Sequence, residues 1–97
     1  MVENINISLN NLGTINKNCI TIKTNLGSID LYFSYKTLVA VNNVVCVNNW
    51  GNTTGKLLNL LEIDKSKRVE HKEVLKEMEK ELKKLFYTEK ELIAHNL

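Results

Sequence analysis

The sequence predicts an α+β fold: an antiparallel sheet of four to five strands, then a short helix, then a long amphipathic C-terminal helix. Two observations predict it. Apolar residues alternate at a period of two up to about residue 52, and recur at helical spacing from Thr53 onward. Charge changes at nearly the same place. Residues 1–61 carry only Glu3, Asp30, Lys17, Lys23, Lys36 and Lys56, whereas residues 62–97 carry nine acidic and nine basic side chains. The 97 residues suffice for one small domain, a β-meander over 1–52 and a helical part over 53–97.

The strands follow in order. Ile5, Ile7 and Leu9 alternate with Asn and Ser, which predicts a strand with one buried face. Asn10 to Gly13 read as a turn. Ile15 to Thr24 alternate again, with Ile20 and Ile22 on one face. Thr24 to Ser28 hold Asn and Gly, which reach positive φ cheaply. Ile29, Leu31, Phe33 and Tyr35 share one face of the next strand, and Lys36-Thr37 connect it onward. Leu38–Val41 and Val44–Val47 flank Asn42-Asn43, a hairpin whose turn asks for the left-handed conformations of type I′.

The helices rest on different signals. Thr53 or Thr54 can cap a helix with its hydroxyl, and Leu57, Leu58, Leu60 and Leu61 extend it over about Gly55 to Glu62. Residues 63–68 read as a charged connector. Leu75, Met78, Leu82 and Leu85 recur at steps of three and four, widened by Val74 and Phe86, and predict a helix over 69–86. Glu79 and Lys83 stand as an oriented i,i+4 pair. Thr88 to Glu91 have the spacing of a capping box, so a short helix restarts there or the long one runs on.

Composition narrows the function classes. No apolar run approaches the ~20 residues of a membrane span, and the N-terminus lacks the basic-then-apolar pattern of a signal peptide. A cytoplasmic protein is expected, with Cys19 and Cys46 reduced and buried. A net charge of +2 is well below that of a dedicated nucleic-acid binder.

Candidate chemistry is sparse. Gly51 to Lys56 invite comparison with the phosphate-binding loop of nucleotide hydrolases. That motif needs four residues between its glycines and a Ser or Thr after the Lys; here three intervene and Leu57 follows. The segment reads as a turn and a helix cap, with anion binding at the helix start as the functional alternative. His71 and His95 lack neighbours at zinc-ligand spacing and read as exposed helix positions. No His lies near Cys19 or Cys46 in sequence, Asp30 has no carboxylate partner, and Ser34 sits in no nucleophile elbow. We expect no enzyme, no metal and no cofactor.

Binding surfaces are better supported. Tyr32, Tyr35, Trp50 and Lys36 can form an aromatic and basic face of the kind that stacks single-stranded bases; otherwise Phe33 and Tyr35 are core and Trp50 covers the sheet end. Lys65 to Arg68 form a basic cluster diluted by Glu62, Asp64 and Glu70. The 69–86 helix either packs on the sheet or pairs with a second copy, and fewer than three heptads argue for the sheet. One helix covers only one sheet face, so the other must be polar or meet a partner.

Tyr32-Phe33-Ser34-Tyr35, Thr37, Val39-Ala40, Trp50 and Thr53-Thr54-Gly55-Lys56 with Leu58-Asn59 carry a resemblance. The stretch over about 29–75 resembles a family of small phage- and plasmid-encoded proteins of unknown function, with a YFSYxTxVA strand, a Trp and a TTGKHLN-like segment. Leu57 stands where that segment usually has His. The resemblance implies a mobile-element origin and no mechanism. Its polar positions, Ser34, Thr37, Thr53, Thr54, Lys56 and Asn59, suit either a binding surface or turn and cap hydrogen bonds. The expected function is non-enzymatic binding of a host or viral macromolecule, such as inhibition of a host defence complex in the anti-CRISPR manner. The alternative is an accessory module for single-stranded nucleic acid or DNA. No membrane partner is expected. The candidate binding residues are Tyr32, Tyr35, Lys36, Trp50, Thr53, Thr54, Lys56, Asn59 and Arg68, and the chain is a monomer or a homodimer through the 69–86 helix.

Overall fold

In the computed structural model, which describes residues 3–13, 16–61 and 63–95 apart from the Thr53 side chain, five strands form one antiparallel sheet in chain order. They are β1 (Asn6–Asn11), β2 (Lys17–Thr24), β3 (Gly27–Ser34), β4 (Thr37–Val41) and β5 (Val44–Val45). Three helices follow, α1 (Asn52–Leu60), α2 (His71–Phe86) and α3 (Glu89–His95), with a 3-10 turn at Lys65–Lys67 between the first two. Ile15 and Glu62 lie outside the described residues. No helix among the described residues is long and apolar enough to cross a membrane.

The register explains where the core lies. Ile7 pairs with Ile22 and Ile22 with Ile29; Leu9 pairs with Ile20, Ile20 with Leu31, and Leu31 with Val41. Antiparallel partners share a face, so both rows run across the sheet on one side. Helix α2 packs on that side. Its Val74 and Leu85 are buried, with Met78, Leu82 and Phe86 against the same cluster. The Thr24 hydroxyl donates to the Leu85 carbonyl at 2.8 Å, fixing the helix end over the β2–β3 turn. Gly27 in that turn holds φ +147°, a conformation side chains rarely adopt.

Burial falls off along both rows. Ile29 and Leu31 are buried, Ile20 and Ile22 half-buried, while Ile7 and Leu9 are each 66% exposed and Ile5 53%. The buried face expected for the first strand is therefore absent. The helix layer reaches β3 and part of β2 and stops short of β1.

The two sheet edges differ. Beyond β5 the chain returns, and Val69 bridges Cys46 in parallel, with Val47 N–H donating to Val69 O at 2.8 Å and Val69 N–H to Val45 O at 2.9 Å. Val69 thus serves the sheet, and α2 starts at His71, two residues later than its periodicity predicts. The β5 edge is covered by this return, and among the described residues β1 is the open edge.

Other boundaries also move. The third strand ends at Ser34, and Tyr35-Lys36 form the turn to β4. At the next hairpin only Asn42 has positive φ, 51°, where type I′ would require it of Asn43 as well. Asn42 is held by Asp30 instead: its N–H donates to Asp30 O and its Oδ1 accepts from Asp30 N–H, both at 2.9 Å. The capping box is formed, with Glu91 N–H donating to Thr88 Oγ1 and Thr88 N–H to Glu91 Oε1, both at 3.2 Å. Tyr87 is extended, so the long helix ends and α3 begins afresh. The Lys83–Glu79 pair closes at 3.5 Å.

Helix α1 buries Leu57 and Leu58 completely and leaves Leu60 exposed. Leu57→Ala is expected to cost about 2–5 kcal/mol from lost transfer energy and the cavity left behind. Leu60→Ala should change stability by less than about 0.5 kcal/mol. Paired urea melts of the two variants check this assignment of the inner face.

Candidate functional site

The link that organises the site is one hydrogen bond. Ser34 Oγ and Thr54 Oγ1 lie 2.7 Å apart, with the residues 2% and 4% exposed. Ser34 alternates with Phe33 on β3, so it points away from α2, and its bond to Thr54 seats α1 on the opposite face. A buried hydroxyl must find a partner, and each finds the other across twenty residues of sequence. This overturns the cap expected from Thr53 or Thr54. The N-cap is Gly51, with no side-chain bond, and α1 begins at Asn52 instead of Gly55. Gly55 N–H donates to Gly51 O at 3.0 Å, so the glycine-flanked segment closes into the first helical turn.

Around this link lies a shallow concavity of about 260 Å³, lined by Ser34, Tyr35 and Thr37 from the hairpin and Trp50, Gly51, Asn52 and Thr54 from the helix start. Tyr35 holds φ 56°, a left-handed position costing about 1–2 kcal/mol for a residue with a Cβ. Its N–H donates to Asn16 O at 2.7 Å, and its ring stays 58% exposed. Trp50 is set by Asn48, whose Oδ1 accepts from Trp50 N–H at 3.0 Å and whose Nδ2 donates to Gly51 O at 3.3 Å. A Cβ on Gly55 would meet that Asn48 Nδ2 at 3.0 Å, so glycine makes room for the loop. The Trp50 ring stands edge-on to His71, centroids 5.5 Å apart at 80°, and remains 42% exposed. His71 is half-buried, unlike the exposed position expected of it: Nε2 carries a proton donated to Leu38 O at 2.8 Å.

The candidate residues therefore divide. Tyr35, Trp50 and Thr54 come together, and Lys36 lines the adjoining hollow with Asn16, Tyr35 and Thr37. Thr53 lies in the first turn of α1, its side chain outside the described residues. Lys56 and Asn59 follow Asn52 on the outer, exposed side of α1. Arg68 Nη2 donates to Asn59 Oδ1 at 3.2 Å, while Arg68 Nε is buried without a partner. Tyr32 stands apart on the α1-side face of the sheet, across from Cys19. That face is polar where α1 leaves it open: Thr21 Oγ1 donates to Asp30 Oδ1 at 2.7 Å. The sequence reading does not place Asn48 or Asn52 at the site and expects His71 to be exposed, because a loop Asn and a helix His carry no signal until the fold sets them near Trp50.

Cys19 and Cys46 are free and buried. Burial raises both thiols above their ordinary range, and raises Tyr32, which also lies beside Cys19 and the Asp30 carboxylate. No group of three His, Cys, Asp or Glu among the described residues could hold a metal ion. The concavity offers hydroxyls, an amide, helix-start N–H groups and two aromatic rings.

A family model described as a family of unknown function, DUF8033, matches residues 4–77. No curated protein and no solved structure matches the chain.

Thr54→Val leaves the Ser34 hydroxyl buried and unpaired, and is expected to cost about 1–3 kcal/mol. Combining it with Ser34→Ala should cost less than the sum of the single changes, as a double-mutant cycle by denaturant melts would read. The raised Cys19, Cys46 and Tyr32 groups bind protons more tightly in the folded state. Their contribution is present in full below the ordinary thiol range and declines as pH rises through it. Melting temperature should therefore fall on the alkaline side and be insensitive to these groups at neutral pH.

Proposed function

The chain belongs to DUF8033, and we propose that it is a non-enzymatic binding protein of a phage or other mobile element that docks on a host protein. Its concrete form is an inhibitor of a host defence complex, in the manner of an anti-CRISPR protein. The observation that carries the reading is the pair Tyr35 and Trp50. Both rings are exposed, yet each stands on a fixed backbone, Tyr35 through its N–H bond to Asn16 O in a left-handed turn and Trp50 through Asn48, and the Trp50 ring also meets His71. Exposed aromatics are typical anchors of protein interfaces. Lys36 beside them and Lys56 on the outer side of α1 add rim charge. The size of the chain and its resemblance to mobile-element proteins supply the host context.

Single-stranded nucleic acid is the competing ligand, since rings and lysines also suit stacked bases. Protein is favoured because Tyr32 does not join the two rings in one stacking platform, and because Glu70 and Glu73, at the start of the helix whose His71 meets Trp50, bring negative charge beside Lys72 and Lys76.

Tyr35→Gly with Trp50→Ala tests the reading. The glycine relieves the left-handed strain while removing the ring, so the fold should survive. A stoichiometric host protein retained by the tagged wild-type chain from nuclease-treated lysate should bind the double variant at least about 30-fold more weakly, the loss of a hot spot. Retention of the same protein by the variant would move the interface elsewhere. Oligonucleotide binding that falls steeply with salt would favour the nucleic-acid module.

A further inference from the structure

We infer that β1 is a self-association edge, pairing antiparallel with β1 of a second copy to continue the sheet across a two-fold axis. Three observations carry this. The first is the exposure gradient: the apolar rows Ile29–Ile22–Ile7 and Leu31–Ile20–Leu9 run out from the core to an uncovered end.

The second is the edge itself. Leu12 N–H donates to Lys17 O at 2.8 Å, so these two residues form a bonded pair. Bonded and non-bonded pairs alternate along an antiparallel ladder, and Asn10, Ser8 and Asn6 therefore turn their main-chain groups toward β2. The main-chain groups of Ile7 and Leu9 turn outward. Among the described residues nothing pairs with those two, whereas the far edge is covered by Val69.

The third is chemical self-complementarity. Natural edges are protected by Lys, Pro or bulges. Asn6–Asn11 reads NISLNN, without charge or proline, and its register with β2 is unbroken. A two-fold axis at Ser8 pairs residues 6–10 of β1 with the same residues of the partner copy. It sets Ile7 against the partner copy's Leu9 on the apolar face, and Asn6 against Asn10 and Ser8 against Ser8 on the polar face. Within residues 6–10 apolar meets apolar, amide meets amide, and no like charges oppose. A partner of other composition would need to match both faces of this strand, whereas a second copy does so by symmetry. The long-helix seam offers no such alternative, because it packs on the sheet.

One strand pair is smaller than a standard interface of ~1,600 Å², so a weak dimer is expected, with a dissociation constant of about 10–100 µM. Sedimentation velocity on the intact chain from about 1 µM to 1 mM spans that range. The weight-average mass should rise toward twice 11.1 kDa. Leu9→Lys places like charges across the axis at an exposed site, and should move the midpoint at least tenfold upward. In Ser8→Cys the two Cα atoms would stand about 4.5 Å apart, within disulfide reach. Mild oxidation should then trap a covalent dimer that the parent chain, with its thiols buried, does not form. A monomer at 1 mM, a dimer unchanged in Leu9→Lys, or no trapping in Ser8→Cys would each overturn the inference. The Tyr35 and Trp50 variants should dimerise normally, so this edge and the aromatic site fail or stand separately.

Discussion

A helix with its side chains is about 10–12 Å across, and neighbouring strands lie about 4.8 Å apart. One long helix therefore covers about two strands, and this sheet has five. Much of the rest follows. Helix α2 lies over the strands that carry the strongest apolar residues, and its contacts thin out toward β1. The other helix of useful length, α1, is held on the opposite face at the Ser34 end. The sheet answers its surplus surface in two ways: the Thr21–Asp30 hydrogen bond on the polar face, and an uncovered apolar margin at Ile5, Ile7 and Leu9.

The Ser34–Thr54 bond links that architecture to the candidate site. It joins a strand end to a helix start, and the residues next to each partner are the exposed aromatics or their supports. Tyr35 follows Ser34 directly, and its left-handed backbone is the consequence of turning the chain in two residues. Trp50 precedes the first turn of α1, and the loop holding it closes through Asn48 against the flat side of Gly55. Strain at Tyr35 is sustained because the hairpin on one side and Asn16 on the other leave the backbone no relaxed alternative. The site is thus a by-product of how the helix is fastened to the sheet.

Much of this was legible in the residues. Period-two alternation located the strands, and the three-four spacing located α2 to within two residues of its start. Thr88 to Glu91 identified the capping box and the restart of α3. These signals are local, arising from backbone geometry that each segment carries alone. The misreadings have one cause. Thr54 looks like a cap because its hydroxyl sits at a helix start, and Ser34, its partner in space, lies twenty residues away. Val69 fits the helical periodicity, while a sheet edge claims its main chain. His71 looks exposed because nothing near it in sequence announces Trp50 and Leu38.

The chain by itself determined the order and type of its elements, because hydrophobic period and turn chemistry act within a few residues. It also determined which faces are apolar. Only the tertiary structure decided which of those faces are covered, since coverage depends on the width of a helix relative to a sheet and on where α2 comes to rest. Ile7 and Ile29 look alike in sequence and stand in one cross-strand row. One is core and the other is surface because the helix ends between them.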